Sequence, residues 1–101
     1  MAKQQIPDDM KILVALRLRA ARMTLGVGTQ GEMAEKLGVE INAYNNYERG
    51  ERLVDVAMAV RLLELSGIGL DWIYAGVTTG VPFDRALALR KHFSEVSIKK
   101  I

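Results

Sequence analysis

The sequence predicts an all-α protein: a compact five-helix domain followed by a short C-terminal helix or tail. Three observations carry this. Proline occurs only at Pro7 and Pro82, and no segment alternates apolar and polar residues as a half-buried strand would. Glycines fall between helix-length segments, where short turns need them. Half of the 101 residues are hydrophobic, which suits one domain with a buried core.

The elements follow in order. A first helix is expected from Asp9 to about Leu25, capped by Asp8 or Asp9. In it Ile12, Leu13, Leu16, Ala20 and Met23 recur at helical spacing, with Arg17, Arg19 and Arg22 between them. Leu25-Gly26-Val27-Gly28 forms a loop. Thr29-Gln30-Gly31-Glu32 then fits a capping box. Its hydroxyl accepts from the Glu32 N–H while the Glu32 carboxylate returns to the Thr29 N–H. The second helix runs to about Leu37 and stops at Gly38, where a left-handed residue is usual. A third covers Ile41 to about Glu48 and is ended by Gly50. A fourth runs from a cap at Asp55 to Leu65, with Gly67 beyond it. A short fifth, Leu70 to Ala75, ends at Gly76. Pro82 opens a last helix reaching about Phe93.

Composition narrows the function classes. The chain has no cysteine, which excludes a disulfide framework and any thiolate metal site and fits a cytoplasmic protein. No apolar run approaches the length of a membrane span, and MAKQQIPDDM carries no signal-peptide core. The net charge of +2 is unevenly spread. Residues 8–25 and 82–101 are basic on balance. Residues 29–52 are acidic, with five glutamates against Lys36, Arg49 and Arg52. No nucleophile stands with a base, so an enzyme is not expected. No cofactor and no metal are expected either. His92 is a lone surface histidine, Asp8-Asp9 marks a helix start, and Gly26-Val27-Gly28 lacks the strand and third glycine of a nucleotide fingerprint. Trp72 and Met10, Met23, Met33 and Met58 have the spacing of core residues.

The middle of the chain is the informative part. The second and third helices have about eight residues each and are joined by Gly38-Val39-Glu40. Elements this short must cross closely, at a small residue such as Ala34, and lean on their neighbours. Met33, Leu37, Val39, Tyr44 and Tyr47 supply an inward set. Such a pair is a helix-turn-helix, whose second helix enters the DNA major groove. That helix, INAYNNYE, spends three positions on asparagine, an indifferent helix former. An asparagine amide offers a donor and an acceptor in one plane, matching the N6/N7 edge of adenine. Ile41 suits a thymine methyl. The helix carries no Lys or Arg, and Glu40 stands at its start, so phosphate attraction falls to its flanks.

TQGEMAEKLGV, followed eight residues later by YERGER, resembles the Cro/phage-repressor (XRE) family of helix-turn-helix transcriptional regulators. The likeness begins near RLRAAR (Arg17–Arg22) and continues into LDWIYAG (Leu70–Gly76), about sixty residues in all. It implies a lambda-repressor-like domain over residues 1–81, with the helix-turn-helix at 30–48. It also implies sequence-specific binding of double-stranded DNA and transcriptional regulation, in the manner of a repressor. By this resemblance Ile41 and Asn42 face base edges, with Asn45 and Asn46 one turn on, while Gln30, Arg49 and Arg52 meet phosphates. A homodimer is expected, because one module reads few base pairs. Residues 82–101 carry Phe83, Leu87, Leu89 and Phe93 and are the candidate dimerisation element. The rival reading is a protein-interaction module or antitoxin-like protein that offers the Glu40 and asparagine face to a protein partner.

Overall fold

The computed structural model describes residues 8–100 and is helical throughout its regular elements. They are α1 (Asp8–Thr24), α2 (Gln30–Leu37), α3 (Ile41–Glu48), α4 (Val56–Ser66), α5 (Leu70–Ala75) and α6 (Phe83–Lys100). The five expected helices stand within a residue or so of their expected bounds. Asp8 and Asp9, the expected caps of α1, are instead its first two helical residues.

Local chemistry sets the boundaries. The Thr29 Oγ1 accepts from the Glu32 N–H at 3.1 Å, opening α2. The second half of the box differs from expectation: the Glu32 carboxylate takes the Thr29 hydroxyl at 3.0 Å, not its backbone N–H. Asp55 caps α4 by accepting from the Met58 N–H at 2.8 Å. Gly38, at φ 68°, closes α2 in the left-handed region, with its N–H on Ala34 and Glu35 carbonyls. A side chain there would be strained, and a Cβ would stand 3.1 Å from Arg61 Nη1. That guanidinium donates to the Leu37 and Gly38 carbonyls at 3.1 and 2.6 Å. A cation from α4 thus satisfies the free carbonyl end of α2 and complements its dipole.

α1 is the central element. It touches α3, α5 and, most extensively, α6. Its buried residues therefore occupy more than one face: Val14, Ala15, Leu16, Leu18, Ala20 and Ala21. The single stripe expected from spacing misses this arrangement. Ile12 and Leu13 are in fact exposed, because the neighbours of α1 lie to other sides. Trp72 anchors α5 to α1. It is buried, and its indole N–H donates to the Arg17 carbonyl at 3.1 Å.

α6 is longer than the sequence suggests, 18 residues ending at Lys100. Val96 continues the helical spacing of Leu89 and Phe93 past the expected stop, and no glycine or proline interrupts it. Leu89 and Val96 are buried. The Phe93 ring meets Trp72 edge to face, centroids 5.9 Å apart and planes at 84°. The last helix is thus laid along α1, with Leu89 in the same core as Trp72 and Tyr44.

Candidate nucleic-acid interface

α3 sits on α2 through a close contact. A Cβ built on Gly31 would lie 3.3 Å from Ile41 Cδ1, so the absence of a side chain at Gly31 lets the start of α3 approach α2. Ala34 is buried at the same crossing. Tyr44, Tyr47 and Glu48 form the inward face of α3. Two of these were expected in the core. Glu48 was not.

Glu48 is only 1% exposed, and its carboxylate is the hub of a polar network. Arg22 of α1 binds it through two nitrogens, Nε to Oε2 at 2.8 Å and Nη2 to Oε1 at 3.1 Å. The Tyr44 hydroxyl donates to Oε2 at 2.5 Å, and Gln30 Nε2 donates to Oε1 at 3.0 Å. Arg19 lies 3.7 Å away and donates to the Glu48 carbonyl at 3.3 Å. Arg22 also reaches the Val27 and Gly28 carbonyls, at 3.2 and 3.3 Å. One carboxylate therefore joins α1, α2, α3 and the loop between α1 and α2. A buried charge needs such partners. The hydrogen bond from Arg22 to Glu48 raises the arginine's already high pKa, holding it cationic. Burial pushes the Tyr44 hydroxyl far up, reinforced by the Glu48 charge, so it stays a donor.

This network reassigns several residues. Arg17, Arg19 and Arg22 stand between the apolar positions of α1, where a solvated face or a phosphate contact is the simple reading. Instead Arg22 is committed to Glu48, Arg19 leans on the same residue, and Arg17 donates to the Ile73 carbonyl at 3.4 Å. Gln30 is half-buried, with one amide N–H spent on Glu48. Among the described residues its remaining N–H and its carbonyl take no hydrogen bond. A sequence signal for the hub existed: Glu48 follows Tyr44 by four residues on the inward stripe, and a carboxylate there demands a cation.

The outward face begins with Ile41 and Asn42, both exposed at the N-terminal end of α3. Among the described residues the Asn42 amide takes no part in the bonds that hold α3. Glu40 caps the helix, its Oε2 accepting from the Ala43 N–H at 3.1 Å. Asn46 is half-buried, and its Oδ1 accepts from Arg49 Nη2 at 2.6 Å. Asn45 is also half-buried, and its Oδ1 is shielded from solvent with no hydrogen-bond partner. The three asparagines are therefore unlike: one open, one turned by an arginine, one with its carbonyl withdrawn. Past the end of α3, Arg49 and Arg52 are exposed. Arg52 lies over the Tyr47 ring, 5.9 Å from its centroid.

A protein-family model described as Helix-turn-helix matches residues 18–73. The chain belongs to this family, on its Cro/repressor-like (XRE) side. The match runs from the middle of α1 to α5 and so includes α2 and α3, and α6 lies beyond the matched part. Helix-turn-helix domains of this family are DNA-binding regulatory domains. No characterised protein and no solved structure matches the chain. Among the described residues no helix is long and apolar enough to cross a membrane.

Proposed function

We propose that this helix-turn-helix protein is a sequence-specific transcriptional regulator, a repressor, that reads the major groove with residues 41–48. The observation that carries the reading is the division of α3. Its inner face is fixed to three other parts of the fold through Glu48, while Ile41 and Asn42 stand open at the end that a recognition helix presents to bases. A rigid mount under an open amide is what base readout requires.

Asn42 is the principal reader, with both halves of its amide available for an adenine edge. Ile41 contributes an apolar contact to a thymine methyl. Asn46 reads with its N–H groups, because Arg49 occupies its carbonyl. Asn45 makes the smallest contribution of the four, since its carbonyl faces inward. Gln30, through its free N–H, and Arg49 and Arg52, through their exposed guanidinium groups, meet phosphates and set the register. The protein acts as a homodimer whose two α3 helices lie roughly 34 Å apart, one turn of B-DNA. Its place of work is the cytoplasm.

The rival reading has one observation in its favour. α3 contains no Lys or Arg and is capped by Glu40, which suits a protein surface better than a polyanion. Selection from random duplexes, followed by a salt titration, decides between them. A DNA reader yields an enriched sequence, and its affinity falls by about 0.9 log unit per phosphate contact per decade of salt. A protein-binding module enriches no sequence and holds no duplex at any salt.

A further inference from the structure

Arg17 and Arg22 are both half-buried on α1, yet among the described residues only Arg22 has an anion. Its bond to Glu48 raises its pKa, whereas burial pushes the Arg17 guanidinium below the ordinary arginine value. The hydrogen bond from Arg17 to the Ile73 carbonyl, at 3.4 Å, is longer than such bonds usually run. The guanidinium lies against Gly76, where a Cβ would stand 3.1 Å from Nε. Gly76 has φ 73°, so the residue that ends α5 also keeps a side chain off Arg17. Arg17 lines a cavity of about 250 Å³ together with Trp72, Ala75, Gly76, Arg90 and Phe93. Arg90, exposed on α6, is steadied by Thr78, whose Oγ1 accepts from Nη2 at 2.8 Å. No carboxylate lines the cavity, and neither arginine makes an ion pair among the described residues. Two like charges thus share one hollow, one of them partly withdrawn from water, beside two aromatic rings held edge to face.

We infer that this cavity, lined from α1, α5 and α6, binds a small organic anion: a carboxylate carried on an aromatic ring. The two guanidinium groups supply the charge. Each is a planar set of donors that suits a carboxylate and also packs well against a ring. Trp72 and Phe93 supply apolar wall for the aryl body, and a cavity of roughly 150 Å³ already accepts benzene. Apolar walls with a few polar groups at fixed places are the usual form of a small-molecule site. An inorganic anion would engage the arginines and leave the rings unused. A neutral aromatic would engage the rings and leave the charges without a partner. Of the six lining residues only Trp72 lies within residues 18–73, so the cavity is built from what this chain adds around the shared domain. Such a site stands whether or not α3 reads DNA.

The test titrates the full chain with benzoate and follows tryptophan fluorescence, because Trp72 is the one tryptophan of the sequence and lines the cavity. The signal changes saturably, with a Kd of about 1 mM or tighter. The thermal midpoint climbs with benzoate concentration, as it does for any ligand held by the folded state alone. Acetate and phosphate lack the ring and benzamide lacks the charge, so each binds roughly 10-fold more weakly or worse. Arg90→Gln, at an exposed position, keeps the wild-type thermal midpoint without ligand and loses benzoate affinity roughly 10-fold or more, the scale of one hydrogen bond to a charged group. Arg17→Gln loses affinity to a similar degree; should it also lower stability, the Arg90 variant decides. A signal that never saturates overturns the site, as does undiminished benzoate affinity in Arg90→Gln. Benzamide, acetate or phosphate binding as tightly as benzoate overturns the ligand class. Duplex selection with the same protein is scored apart: benzoate binding without an enriched sequence upholds the site and sinks the DNA reading, and the reverse result sinks the site alone.

Discussion

On the inner face of α3, Glu48 receives hydrogen bonds from Arg22, Gln30 and Tyr44, and Arg19 lies close by. On the outer face, Asn42 stands nearly two turns away with its amide open to solvent. Both residues are polar, and both lie on the same eight-residue helix. The difference teaches how a short helix can be held rigidly and still keep one face open. Burial converts the inner polar group into a structural joint, whose removal leaves charge without a partner. Exposure leaves the outer group free, so its removal costs the fold little and, on the function proposed above, costs recognition much.

Substitutions on the two faces should therefore separate stability from specificity. The largest effect is expected for Arg22→Met, which strands the Glu48 carboxylate in the interior. Breaking a buried pair from one side costs about 3–5 kcal/mol, so chemical denaturation should show a much lowered midpoint. A loss below about 1 kcal/mol would mean that water reaches Glu48 and that the joint is not rigid.

Tyr44→Phe comes next. It removes one hydrogen bond to a charged group, worth roughly 1.5–3 kcal/mol. It also carries a pH signature. Burial raises the folded-state pKa of Tyr44 above that of an unfolded tyrosine, which ionises near pH 10. The stabilisation is fully present below about pH 10 and is lost as pH rises beyond it, by about 1.4 kcal/mol per pH unit for one proton. Tyr47 and Tyr74 are also raised, chiefly by burial, and add to the fall. Denaturation at a series of alkaline pH values should show the Tyr44→Phe variant losing stability less steeply than wild type. Parallel curves would place the Tyr44 hydroxyl in water.

The contrast explains which parts were legible in the sequence. Helix ends were, because Thr29, Gly38, Asp55, Gly67 and Gly76 act through their own backbone neighbours. The helix-turn-helix was legible because YERGER and TQGEMAEKLGV are local patterns. Partners distant in sequence were hidden. Arg22 and Glu48 are 26 residues apart, and Arg61 reaches a carbonyl 23 residues back. Nothing in an isolated arginine says whether it meets a phosphate or a carboxylate of its own chain. The length of α6 was hidden for a similar reason. Ser94, Ser97 and Ile98 give a weak local signal, and Val96 is held by burial beside α1.

Asn42→Ala sharpens the outer side of the comparison. Its thermal midpoint should match wild type, since exposed substitutions usually stay within about 0.5 kcal/mol. Discrimination between operator and altered sequence should fall by roughly 1–3 kcal/mol, the worth of one bidentate amide–base pair. Glu40→Gln should have the smallest effect. It keeps a polar cap at the start of α3 and removes a negative charge that the proposed docking sets beside phosphates, so duplex affinity should rise modestly in a fluorescence titration at low salt. Weaker operator binding would show instead that Glu40 accepts from a cytosine amino group.

The claim that the outer face of α3 reads bases is tested most directly by crossing protein and DNA changes. After selection of an operator, the affinities of wild type and Asn42→Ala are measured on that operator and on every single-base variant of it. Wild type should discriminate at each specified position. Asn42→Ala should lose its preference at one base pair, or at its symmetry mate in a two-fold operator, and keep the rest, a coupling confined to that pair. An Asn42→Ala protein that retains wild-type discrimination at every position would contradict the account.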